Sequence, residues 1–404
     1  MAIEFRPVTA SEMGQFGLVT SYAFAGEAGD GPENEFTKQV RPEWTLFAFD
    51  GAKLAATFAT FPFTMGANGR ALALGGVTAV STQPEYRRQG LIRQLMTQAF
   101  QAMREKDQSV AALWASQAAI YQRYGYALSS IKRCYSIDTV DIHFFDGDRG
   151  SLPVTRINTL EGEKIADALY HEFIANRMGY LYRDKKLWQS RIFKEKKKAG
   201  PIHVAVAFEG KQSRGYMVYT MRHSKVGHGT RFQEIDVRDF AWLSIDAYRS
   251  LWSFLAKHDL VGKVSWKYAP LDDPAPDFFV EPRLLHIKNY EGIWFRIVDL
   301  AAAVEGRGYQ VSDKLTLEIA GDEMCPWNNG TWQIDASPEG TKVTSTAAPP
   351  DVTLSIKAMA SLYTGFREAR RLSGWGLIKG EAAAIERLSQ LFATRYAPHC
   401  PDSF

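Results

Sequence analysis

A β-branched, apolar run that feeds through a basic loop straight into an amphipathic helix constrains this chain more than any other feature. Arg70 to Gln83 reads as a strand, and Gln89 to Lys106 reads as a helix. The helix carries Leu91, Leu95 and Ala99 on one stripe with Ile92, Met96, Phe100 and Met103 beside it. The junction is Val80-Ser81-Thr82-Gln83-Pro84-Glu85-Tyr86-Arg87-Arg88-Gln89-Gly90-Leu91-Ile92. A helix start leaves backbone N–H groups unpaired and carries partial positive charge, which suits a phosphate. Arg87 and Arg88 add charge, and a glycine at position 90 removes a Cβ from the approach. The strand before the loop can offer backbone groups to an amide-rich ligand. Alone, the run fits either a phosphate cradle or an ordinary strand-turn-helix corner with a basic rim, because a bare Arg-Arg-x-Gly is common.

The surroundings make this corner part of a mixed α/β layer. Ser11 to Phe24 has helical spacing, and Thr45 to Met65 reads as two strands hinged at Asp50-Gly51, a favoured hairpin turn. Val110 to Ser116 is a short buried strand, Ala118 to Arg123 a helix that Gly125 can end, and Tyr126 to Val140 one long strand. The polar stretch Asp146 to Ser151 is a boundary, and a second α/β unit follows. Its helices are expected near Glu163 to Arg177 and Ser244 to His258, with a hairpin near Ile202 to Met221. Lys194 to Lys198 reads as a charged, solvated turn. Beyond about Leu300 the texture becomes α+β. Strands are expected at Val311 to Ile319 and Gly330 to Asp335, with strand signals over Lys342 to Lys357 around Pro349-Pro350, then helices at Met359 to Leu372 and Glu381 to Phe392.

Size and composition agree with several domains. The chain has 404 residues, enough for two or three domains, with 46% hydrophobic and 23% charged residues. Its 24 Phe and 17 Tyr favour large cores or aromatic-lined pockets. A net charge of +3 gives no case for nucleic acid as a partner. Cys134, Cys325 and Cys400 are far apart and read as free thiols in a reducing compartment. No stretch has the apolar length of a membrane span, and the first residues lack a signal-peptide core, so a cytoplasmic location is expected. The eight histidines show no ligand spacing, His223 and His228 read as surface residues, and no metal is expected.

A second element bears on the loop. Ser116 ends a buried strand and is followed by Ile120-Tyr121-Gln122-Arg123-Tyr124-Gly125-Tyr126. A tyrosine beside a thiolate leaving group can serve as general acid. Tyr124 and Tyr126 read as core aromatics, whereas Tyr121 stands at the helix start. The loop, the strand ending at Ser116 and the Tyr-x-x-x-Gly-aromatic signature together resemble the GNAT acetyltransferase superfamily. Further runs sharpen the likeness: Ala247 to Leu255, His258-Asp259, Asp272-Asp273-Pro274, Glu281-Pro282-Arg283, Ile293 to Leu300 and Ala397 to Phe404 resemble the Eis family, in order, over nearly the whole chain.

That resemblance implies tandem GNAT mixed sheets (1–150 and 151–290) followed by a sterol-carrier-like α+β domain (291–404). The first is the acetyl-CoA-binding catalytic domain, and the second lacks a pyrophosphate loop. It implies acetyl-CoA as cosubstrate, direct transfer to a small-molecule or lysine amine of aminoglycoside, polyamine or lysine type, and a homo-oligomer, commonly a hexamer. By the same match Val80, Thr82, Arg87, Arg88, Gln89, Gly90, Leu91, Ile92 and Ser116 border the CoA, Tyr121 is the general acid and the terminal carboxylate of Phe404 the general base. An amine acceptor asks for negative charge and aromatic faces. Glu27, Asp30, Glu33 and Glu35 with Phe24, Phe36 and Trp44 make such a cluster, which reads equally as a solvated loop. The rival reading is a lipid or acyl-ligand binding protein whose acetyltransferase domain is degenerate; the intact loop speaks against it.

Overall fold

The computed structural model describes residues 3–26, 37–196, 198–228 and 230–404, with side chains at 225–228 left aside. By contact the chain divides into two units. One holds residues 1–129, 293–393 and 403–404, the other 130–292 and 394–402. No helix among the described residues is long and apolar enough to cross a membrane.

The first unit opens with β1 (Ile3–Arg6) and α1 (Met13–Ala23), then β2 (Phe47–Asp50), β3 (Lys53–Ala67) and β4 (Ala71–Thr82). It continues through α2 (Leu91–Glu105), β5 (Val110–Leu113), α3 (Ala118–Gln122) and β6 (Ala127–Leu128). The β2–β3 hairpin turns at Gly51, whose φ of 59° is the left-handed conformation such a turn needs. The buried stripe of α2 (Leu91, Leu95, Met96, Ala99, Phe100, Met103) packs on Ala56, Phe58 and Val77 of the sheet. Gly75 lets that helix come close, since a Cβ there would stand 2.8 Å from the Met103 sulfur.

The second unit is built on β7 (Ile131–Ile137), β8 (Val154–Ile157), β9 (Met178–Leu181), β10 (Ile202–Glu209), β11 (Gln212–His228), β12 (Arg231–Trp242), β13 (Val261–Pro270) and β14 (Lys288–Glu291). Its helices are α4 (Thr159–Ile174), α5 (Lys185–Leu187), α6 (Ile245–Ala256) and α7 (Ala275–Phe278). The sheet order is β14-β7-β13-β12-β11-β10-β8. Strand alternation sorts the two cores. Ala205, Ala207, Met217 and Tyr219 pack with α6, while Val204, Val206, Tyr216 and Val218 pack with α4.

The chain returns to the first unit with β15 (Trp294–Ile297), which pairs antiparallel to both β5 and β6 and gives the order β1-β2-β3-β4-β5-β15-β6. Then come α8 (Leu300–Glu305), β16 (Asp313–Ile319), β17 (Gly330–Ala336), β18 (Thr341–Ser345), β19 (Val352–Leu354), α9 (Ile356–Tyr363), α10 (Ala369–Gly374), β20 (Ile378–Gly380) and α11 (Ala382–Leu391). These strands form a five-stranded sheet, β18-β17-β16-β19-β20. Fully buried Arg307 donates to the carbonyls of Tyr363 (2.9 Å) and Phe392 (2.8 Å), closing the ends of α9 and α11.

Two elements depart from the sequence expectation. The single strand expected over Tyr126 to Val140 is two, because hydrogen-bond partners change at Ser129-Ser130. Leu128 pairs with Trp294, whereas Ile131 pairs with Glu291. The helix expected over Met359 to Leu372 breaks at Gly365, whose φ of 73° ends α9.

Candidate active site

The first unit has a seam where two parallel strands part. β4 and β5 pair at Leu74↔Val110, Gly75↔Ala111 and Gly76↔Ala112, and there the ladder stops while β4 continues to Thr82. A bulge bends β4 away. Its register with β3 slips between Thr57 and Ala59, and Ala79 takes a φ of 51°. Thr57 braces the bulge, its hydroxyl donating to the Ala79 carbonyl at 2.6 Å and meeting the Ser81 hydroxyl at 2.6 Å. Beyond Gly76, β5 offers β4 no ladder partner, so an extended amide ligand can supply one.

At the end of β4 the loop is tied down from outside. The Tyr86 hydroxyl donates to Asp50 at 3.0 Å, the Gln83 amide to the Leu54 carbonyl, and the Gln89 amide to the Glu85 carbonyl at 3.2 Å. Arg87 reaches back to the Thr82 carbonyl at 3.2 Å, and Arg87, Arg88 and Gln89 are exposed. Gly90 precedes α2 with φ 79°, and no side chain caps the helix. A Cβ at Gly90 would meet nothing within 4 Å. The glycine is therefore required by its backbone angle, and the space outside it is open. Leu91 is buried and Ile92 half-buried, both anchoring the first turn in the core, as does half-buried Val80.

Tyr121 sits in α3 with its ring buried, edge-on to Tyr126 at 6.0 Å. Burial raises its phenol pKa, and a hydrogen bond with the exposed Ser116 hydroxyl works the other way. The phenol stays protonated at neutral pH, as a proton donor must. Tyr124 and Tyr126 are buried in the same core. Burial lifts the Tyr126 phenol far out of the neutral range.

Phe404 belongs to the same unit. Its ring lies 5.1 Å from Phe63, which stacks on Phe61 at 5.4 Å, and Trp44 meets Phe61 edge-on at 5.6 Å. A Cβ on Gly76 would come within 2.5 Å of Phe63 and 3.2 Å of Phe404 Cε2. The residue at which the β4–β5 ladder stops is thus a glycine beneath two rings, one of them the last residue of the chain. Sequence reading did not single out Phe61, Phe63, Gly76 or the Ala79 bulge. The pair Gly75-Gly76 inside a strand was the available signal. Phe24 is half-exposed after α1, while Glu27, Asp30, Glu33, Glu35 and Phe36 lie outside the described residues.

The second unit has a similar seam in a different state. β12 and β13 pair in parallel as far as Val237↔Trp266, and β12 is bulged against β11 between Asp239 and Val237. Here the helix start is closed, because the Ser244 hydroxyl accepts from the Ala247 N–H at 3.2 Å. Arg238 donates to the carbonyls of Arg191 and Lys194 at 2.7 and 2.8 Å. The chain's own segment 394–402 fills what is left. Arg183, buried over the Tyr170 ring, joins Asp239 (2.7 Å) to Asp402 (2.9 Å). His399 donates from Nε2–H to the Tyr268 carbonyl at 2.9 Å, and its backbone N–H donates to the Met178 carbonyl at 3.0 Å. Between Arg238, Phe240, Trp266, His399 and Pro401 the remaining cavity is about 10 Å³, room for no more than about one water.

Comparison with known proteins agrees with this geometry. Two acetyltransferase (GNAT) domain models match residues 4–129 and 179–297, and a sterol carrier protein domain model matches 300–401. An uncharacterized N-acetyltransferase of Streptomyces griseus is 26% identical over all of both chains. The N-acetyltransferase Eis of Mycobacterium tuberculosis is 25% identical, covering 80% of this chain and 79% of that protein. Among solved structures, a GCN5-related N-acetyltransferase from Anabaena variabilis superposes with a TM-score of 0.88 at 24% identity over the full length of both. Eis1 from Mycobacterium abscessus gives 0.83 at 22% identity, covering 99% of this chain and all of that one. The chain is an N-acetyltransferase with two GNAT domains followed by a sterol carrier protein domain, and along its length it is similar to N-acetyltransferases of the Eis type.

Proposed function

We propose that the chain moves an acetyl group from acetyl-CoA directly to an amine, at a site within residues 1–150 that Phe404 completes. The observation that carries this reading is the seam at Gly76, where β4 leaves β5 and then leads into an uncapped helix start. The donor fits these residues. Val80 and Thr82 lie on the stretch of β4 that β5 leaves unpaired, and Arg87, Arg88, Gln89 and Gly90 line a helix start suited to a diphosphate. Leu91, Ile92 and Ser116 complete its borders. When bound, acetyl-CoA supplies the thioester carbonyl.

Tyr121 holds a proton at Oη for the departing sulfur, and the terminal carboxylate of Phe404 takes the proton that an incoming ammonium must lose. The acceptor is an amine of aminoglycoside, polyamine or lysine type, met by Trp44, Phe24 and the segment with Glu27, Asp30, Glu35 and Phe36. A homo-oligomer, up to a hexamer, working in the cytoplasm belongs to the same proposal.

Two measurements test it. A screen of acetyl transfer over aminoglycosides, polyamines and lysine peptides, read by CoA release, should show turnover with at least one class. Extending the chain past Phe404 should abolish turnover while CoA binding persists; full activity in the extended protein refutes the role of that carboxylate.

A further inference from the structure

The second unit carries a recess of about 650 Å³ on the face of β14, β7 and β13 that points away from α6. Strand alternation makes it. Tyr135, Ile137, Val264 and Trp266 enter the core, so Lys132, Cys134 and Ser136 on β7 and Ser265 and Lys267 on β13 face the other way. Register concentrates charge there. Lys288 stands across from Cys134 and Tyr290 across from Lys132. β13 is irregular between Trp266 and Ala269, where the Cys134 thiol donates to the Lys267 carbonyl at 3.2 Å.

Lys132, Lys267 and Lys288 line this recess together with Cys134, so three lysines from three neighbouring strands share one floor. Lys132 also lies 4.8 Å from the centre of the Tyr268 ring. Lys263, at the rim, is answered by Glu234, its register partner on β12. No carboxylate is among the described residues lining the recess. Several positive charges on one floor favour an anion placed among them. The volume falls in the range of small-ligand sites, about 300–1,000 Å³, and Tyr290 offers an exposed ring at the edge.

We propose that this recess is a second ligand site that binds a nucleoside diphosphate or triphosphate, phosphates on Lys132, Lys267 and Lys288 and base against Tyr290. It lies wholly in the second unit and does not depend on the donor site at Arg87 to Gly90.

Calorimetric titration of the full chain with ADP tests the site. The background is Arg87→Gln/Arg88→Gln, which weakens the donor loop. ADP should still bind there, and adding Lys267→Gln/Lys288→Gln should cut its affinity at least tenfold. Tyr290→Ala should weaken ADP severalfold and leave inorganic pyrophosphate unaffected. In the otherwise native chain Lys267→Gln/Lys288→Gln should leave kcat and the KM for acetyl-CoA unchanged, which also certifies its fold. Absence of ADP binding in the donor-loop background, or binding indifferent to the lysine changes, overturns the site. Pyrophosphate binding as tightly as ADP overturns the nucleotide assignment. The acetyltransferase reading fails by a different sign, an acetyl-CoA KM that Arg87→Gln/Arg88→Gln does not move.

Discussion

At the scale of single residues, Tyr121 and Gly90 separate chemistry from architecture. Tyr121 is buried like its core neighbours Tyr124 and Tyr126, yet it alone of the three bonds to exposed Ser116. Tyr121→Phe keeps the ring and removes the proton. We expect kcat to fall by about 10²-fold or more, with CoA affinity and thermal midpoint little changed; a variant with unchanged kcat ends the general-acid role. Gly90→Ala should act through the backbone, because its φ is 79° and its Cβ would meet open space. A left-handed non-glycine residue costs about 1–2 kcal/mol, so the thermal midpoint should drop by a few degrees. CoA affinity should drop further if, as proposed, the displaced helix start meets the diphosphate. These residues were legible in sequence because a loop-to-helix junction is local. Gly76 and Phe63 were not, because their contact joins β3 to β4 through the hairpin register.

At the scale of elements, the two seams show one strand plan in two states. In the first unit the start of α2 is uncapped, and in the second α6 begins under its own Ser244 cap. Sequence analysis found no pyrophosphate loop in the second unit, but could not say what fills its seam. The segment 394–402 does, through a buried Arg183 with carboxylates on both sides. Arg183→Met should remove the cation that joins Asp239 to Asp402, and removing one partner of a buried ion pair costs about 3–5 kcal/mol. The matching test is denaturant unfolding, in which Arg238→Met, a residue whose guanidinium bonds the carbonyls of Arg191 and Lys194, should cost clearly less. Equal losses would show that the pair contributes nothing special. The splitting of the expected Tyr126 to Val140 strand belongs at this scale too. Its β-forming composition is continuous, and only the choice of hydrogen-bond partners divides it at Ser129-Ser130.

For the molecule as a whole, buried ionisable groups of the second unit set opposing pH slopes. The Asp273 carboxyl, desolvated beside Tyr248, is pushed up to about 7, while burial pushes the His399 imidazole down to about 3. Between its ordinary value near 4 and about 7, Asp273 is protonated in the fold and ionised in the unfolded chain. Its contribution therefore falls as pH rises through that window. His399 does the reverse. From about 6.5 down to about 3 the unfolded chain takes up a proton that the fold refuses, so stability is lost as pH drops. The two flatten each other in mildly acidic solution. Asp273→Asn removes only the first, and each pH unit of displacement is worth about 1.4 kcal/mol. Its stability relative to the native chain, from denaturant midpoints, should therefore improve steadily from pH 4.5 to 7.5 (roughly the Asp273 window). A difference constant with pH would show that Asp273 is ionised throughout.

The sequence by itself determined the parts that depend on near neighbours: the stripe of α2, the Asp50-Gly51 turn, the basic loop and the tyrosine in α3. Short-range sterics and periodicity suffice for those. Only the tertiary structure decided that β4 leaves β5 at Gly76, that Phe404 lies over that glycine, and that 394–402 fills the second seam. It also decided that lysines from separate strands line one recess with Cys134. Each of these joins residues far apart in the chain, and their pairing depends on register and packing, which no local pattern encodes.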